Sequence, residues 1–162
     1  MAVSDDIVAT YRGPARVMRR LLSGDRHEAR ALAYLIAALA LAFVAQWPAL
    51  ARAAHLQPEV VLTQRMVAAL LAALAAVPAC YAIAAAGHLL ARALGGRGDF
   101  FGARMALFWA MLAVAPVVLL HGLVRAFIGP GLQASLSGIV VFAVFMWFWI
   151  AGMIVAEGGA GA

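Results

Sequence analysis

Residues 31–50, ALAYLIAALALAFVAQWPAL, are twenty consecutive residues without a charged side chain. A hydrocarbon core about 30 Å thick takes about 20 helical residues at a rise of about 1.5 Å each, so this run predicts a transmembrane helix. Tyr34 and Trp47, near its two ends, suit the lipid–water interface. Gln46-Trp47-Pro48 marks where the helix is expected to loosen, and Pro58 closes the connection that follows. Three more runs of this kind lie downstream, over about 66–94, 105–124 and 136–156. The predicted fold is therefore all-α: a polytopic membrane protein with a four-transmembrane-helix bundle over 31–157.

Composition agrees with that reading. The chain of 162 residues is 67% apolar and 12% charged, far from the balance of a soluble domain. Its net charge of +5 comes with twelve arginines and no lysine. In so apolar a chain, arginines flanking hydrophobic runs read as topology signals and as contacts to anionic headgroups, and not as a nucleic-acid surface. A lone cysteine, Cys80, permits neither an intramolecular disulfide nor a cysteine-based metal site. The first thirty residues hold six Arg and four acidic residues, with no apolar stretch of the kind a cleavable signal peptide needs.

Upstream of the first run, residues 1–30 read as a basic, amphipathic segment on the cytoplasmic face. Ser4, Asp5 and Asp6 suit a helix start. Gly13-Pro14 breaks that helix, and Pro14 suits the first position of another. Val17, Met18, Leu21 and Leu22 then share one side, with Arg16, Arg19 and Arg20 on the other. This pattern predicts a helix lying in the headgroup plane, apolar side down, and ending near Gly24. At the other terminus, 158–162 reads as a short glycine-rich tail.

The second run carries a ladder at four-residue spacing: Ala68, Ala72, Ala76, Cys80, Ala84, then His88 and Arg92. Small side chains in such a stripe let another helix approach closely. Pro78 is expected to kink the run, and Gly95-Gly96-Arg97-Gly98-Asp99 reads as the turn that follows. Nine arginines, at 12, 16, 19, 20, 26, 30, 92, 97 and 104, fall on one side of this topology, against Arg52, Arg65 and Arg125 on the other. That bias predicts an inner (plasma) membrane protein with both termini cytoplasmic.

Candidate chemistry is sparse. His88 and Arg92, one turn apart, could hold an anionic headgroup or a partner's carboxylate, as could Arg97, Arg16, Arg19 and Arg20. The blander reading places His88, about 22 residues or about 33 Å from Met66, half solvated at the interface. None of the seven acidic residues falls well inside a run, which disfavours coupled transport. Ser135 and Ser137 have no base nearby in sequence, the histidines lack metal-ligand spacing, and the Gly-rich turn lacks the Gly-Lys-Ser/Thr ending of a phosphate loop. Trp147 and Trp149 could meet a pigment or quinone, but an aromatic belt or packing seam accounts for them better. No catalytic residue, cofactor or metal is expected.

The stretch His88-Leu89-Leu90-Ala91-Arg92-Ala93-Leu94-Gly95-Gly96-Arg97-Gly98-Asp99-Phe100, followed by Pro116 inside the next run, resembles the bacterial branch of the Yip family, as do Tyr11-Arg12-Gly13-Pro14 and Gln46-Trp47-Pro48. These are multi-span membrane proteins whose eukaryotic members bind Rab GTPases. The all-Arg, Ala-rich composition is similar to that of short alphaproteobacterial members. The resemblance implies fold and membrane residence; the GTPase role does not carry over to bacteria, and the family commonly has five spans where four are read here. The expected function is a non-catalytic scaffold, accessory subunit or assembly factor that contacts lipid, other membrane proteins or itself. A small transporter or channel, with Pro78 and Pro116 kinking the lining helices, is the alternative.

Overall fold

Seven helices build the structure, a computed structural model that describes residues 3–24 and 26–158: α1 (Val3–Arg12), α2 (Pro14–Ser23), α3 (Glu28–Leu56), α4 (Leu62–Ala93), α5 (Phe100–Ala113), α6 (Ala115–Phe127) and α7 (Leu132–Glu157). No strand occurs among the described residues. Helices α3, α4 and α7 are each long and apolar enough to cross a membrane. Helices α5 and α6 meet that standard together, as a pair bent by 44°, which brings the number of candidate spans to between three and four. Of the expected tail, 159–162 lies outside the described residues.

The helices run past the edges of the apolar runs. Helix α3 continues through Pro48 to Leu56, and α4 continues through Pro78. One proline removes a single backbone donor, and packing on either side keeps the helix going. Beside Pro48, α3 lies so close to α6 that a Cβ on Gly122 would overlap the Ala45 carbonyl. Backbones in contact give the dense packing that replaces hydrophobic collapse in lipid.

Pro116 has the larger effect because it stands in the first turn of α6. Its missing N–H breaks the helical ladder, and Val117 N–H turns back to Val114 O at 2.9 Å instead of to Ala113 O. The freed Ala113 carbonyl accepts a hydrogen bond from the Tyr11 hydroxyl at 3.0 Å. An unpaired carbonyl at this depth would cost several kcal/mol, so Tyr11 makes the bend tolerable.

Helix α5 forms the centre, with Met105, Ala106, Phe108, Trp109 and Ala113 almost wholly enclosed by α3, α4, α7 and the N-terminal helices. Tyr34 meets Trp109 edge-on at 5.1 Å, Tyr81 meets Phe108 at 5.0 Å, and Tyr11 meets Phe148 at 5.0 Å. Arg20 pairs with Asp6 to join α1 and α2. Thr10, fully buried, donates to Asp6 O at 2.7 Å and accepts the Trp109 indole N–H at 3.1 Å.

Here the structure departs from the sequence reading. The apolar side of α2 is not left for lipid: Val17, Met18 and Leu21 are buried against α7 and α5. Gly152 and Ala106 leave the groove that receives Met18, whose Cε would lie 3.3 Å from a Cβ on Gly152. Periodicity identified the apolar side of α2 but not the surface that covers it. Arg16 and Arg19, on the other side, are exposed.

Candidate functional site

The most densely connected polar group lies where the α4–α5 turn meets the end of α7. Helix α4 ends in a glycine cap: Gly95 adopts φ +96°, Gly95 N–H bonds Arg92 O at 3.1 Å, and Gly96 N–H bonds Ala91 O at 2.9 Å. This pair of bonds satisfies carbonyls that the helix end would otherwise leave open. The turn then runs across the last residue of α7. Arg97 N–H donates to Glu157 O at 2.9 Å, and Gly98 N–H donates to Glu157 Oε2 at 3.1 Å. A Cβ on Gly96 would stand 2.8 Å from Glu157 Oε2, and one on Gly98 would overlap the Ala156 carbonyl. These glycines are needed because the turn lies directly against another helix.

His88 completes the group. Its Nδ1 lies 2.6 Å from Glu157 Oε1, and the two side chains are 2% and 7% exposed. Phe100 covers the imidazole at a ring separation of 4.3 Å. The half-solvated interfacial position anticipated for His88 is not what the structure shows: the ring faces inward and holds the chain's own carboxylate. Arg92, one turn on, is exposed.

Ion pairs flank the group. Arg26 pairs with Asp99, and Arg104 pairs with Glu28. Asp99 also caps α5 by accepting Gly102 N–H at 2.8 Å. Burial pushes the Asp99 carboxyl up, but the Gly102 bond and the Arg26 guanidinium outweigh it and hold the group below the usual carboxylate range. Arg30 reaches back to Leu21 O at 2.8 Å, tying α3 to the end of α2. Arg97, Arg16 and Arg19 are exposed, while Arg20 is engaged by Asp6.

The small-residue ladder on α4 divides in two. Cys80 and Ala84 are buried in the bundle and Ala76 is half-buried, whereas Ala68 and Ala72 face outward. Near the opposite end of the bundle, His121 Nδ1 lies 2.8 Å from Ser137 Oγ, a pairing that sequence distance hides. Ser137 also donates to Ala134 O at 3.0 Å. With its one proton placed there, the hydroxyl accepts from Nδ1–H, the reverse of the direction that would activate a nucleophile.

Sequence reasoning missed the His88–Glu157 pair because the two lie 69 positions apart. The available signal was a single carboxylate closing a span otherwise free of acids. The turn that holds this pair, the proline-broken α5–α6 pair and the multi-span helical architecture coincide with a family match: the Yip1 domain matches residues 8–160. The chain belongs to the Yip1 domain family. No curated protein and no solved structure matches it. The match begins within α1 and takes in Tyr11, whose hydroxyl closes the break at Pro116, and all of α2.

Proposed function

We propose that this Yip1-domain chain is a non-catalytic scaffold, accessory subunit or assembly factor that crosses the bacterial inner membrane four times, with both termini cytoplasmic. The observation that carries the reading is the uneven packing of α4. Its half nearer the α4–α5 turn buries one face, at Cys80, Ala84 and His88, while on the other half Ala68 and Ala72 of the same ladder are exposed together with Val67, Leu70, Leu71 and Leu74. A helix that leaves small residues open toward lipid can receive another helix at short range. The exposed arginines Arg16, Arg19, Arg92 and Arg97 support contacts to anionic headgroups on the cytoplasmic side.

Cysteine crosslinking in native membranes tests this. In a Cys80→Ala background, Ala72→Cys gives a discrete adduct, with a second copy or with another membrane protein. Ile139→Cys, equally lipid-exposed on α7, gives none. A bare monomer from both positions contradicts the reading.

A further inference from the structure

The last turns of α3 and α6 and the turn into α7, at the end of the bundle away from Glu157, border an open cleft of about 240 Å3 lined in part by Arg52, Gln57, Arg125 and Pro130. Arg65, close by, is occupied with carbonyls: it donates to Val60 O at 3.1 Å and to Gln57 O at 3.3 Å. Arg52 and Arg125 differ. Among the described residues neither makes a hydrogen bond or an ion pair. The single acidic residue in this part of the chain, Glu59, is exposed on the α3–α4 connection.

The position of Arg52 is set by shape. Gly129 takes φ +91°, and the Arg52 guanidinium occupies the space that a Cβ there would need. Beside Pro130, α7 starts at Leu132 without a side-chain cap, which adds partial positive charge from its first amides. The ends of α3 and α6 carry partial negative charge, which suits Arg125 in the last turn of α6, whereas Arg52 lies a turn before the end of α3. Yet neither guanidinium bonds those carbonyls, as Arg65 does.

We propose that Arg52 and Arg125 form a binding site for a phosphate group, whether on an anionic phospholipid of that leaflet or free in solution. Two planar guanidinium forks suit the oxygens of a phosphate, and the cleft holds no carboxylate to compete.

The test is thermal unfolding of the purified full-length chain in a neutral detergent, titrated with phosphatidylglycerol, diacylglycerol or inorganic phosphate. Phosphatidylglycerol raises the midpoint, and diacylglycerol does not. In R52Q/R125Q the apparent affinity falls at least about tenfold, the effect of losing charge-assisted hydrogen bonds. R12Q, exposed on α1 and outside the cleft, leaves it unchanged. A rise with inorganic phosphate as well shows that the free ion suffices, and a rise with the lipid alone assigns the headgroup. If R52Q/R125Q loses its fold, R125Q alone, which spares the Gly129 contact, carries the same expectation. Equal affinity in wild type and variant, or an equal loss in R12Q, overturns the site.

Discussion

Replacing His88 with alanine lowers the stability of the bundle by about 3 kcal/mol, because it leaves the Glu157 carboxylate buried with one backbone N–H in place of two partners. The loss is read as a fall in the unfolding midpoint in mild detergent. Truncation also opens a void under Phe100, which adds to the effect. Glu157→Gln separates the two contributions. A glutamine amide still fills the space, accepts from Gly98 N–H and reaches Nδ1, so this variant loses no more than about 1.5 kcal/mol. If the alanine and glutamine variants are equally destabilised, the carboxylate charge matters more than the bonding geometry. If neither shifts the midpoint, the pair does not hold the end of α7.

The second large effect is expected at Gly122. A valine there has no room beside the Ala45 carbonyl, so α3 and α6 must separate along their contact. Overpacking of this kind costs about 1–3 kcal/mol, and the upper end applies because the obstacle is backbone, which cannot rotate away. Gly138 is the matched control. A Cβ at Gly138 meets the His121 ring at 3.5 Å, an ordinary contact, and alanine is the better helix former by about 0.5–1 kcal/mol. Gly138→Ala is therefore neutral or slightly stabilising, while Gly122→Val lowers the unfolding midpoint by several degrees.

The helical class and the membrane-spanning runs are legible in the sequence because lipid imposes a length and a polarity on each helix. Residues 31–50 need no tertiary information to be read. The glycine turn is legible for a similar reason, since Gly95 must adopt a conformation that other residues avoid. What lies across that turn is not legible. Gly96 and Gly98 look like further turn residues, yet their neighbour is Glu157, brought in by the packing of α7 on α5. The N-terminal segment shows the same limit. Spacing separates Val17, Met18 and Leu21 from the arginines, but lipid and a protein groove make the same demand on an apolar side. The groove depends on Gly152 and Ala106, more than eighty residues away. Tyr11 has no pattern at all; only the carbonyl freed by Pro116 explains it.

The four-span reading depends on whether the bent α5–α6 pair crosses the membrane or returns to the side it entered from. Impermeant thiol labelling of single cysteines in a Cys80→Ala background distinguishes the two. A span through α5 and α6 puts Ser4→Cys and Arg97→Cys on the cytoplasmic side, and Glu59→Cys and Gln133→Cys on the other. Labelling of Arg97→Cys and Gln133→Cys from the same side contradicts the four-span bundle.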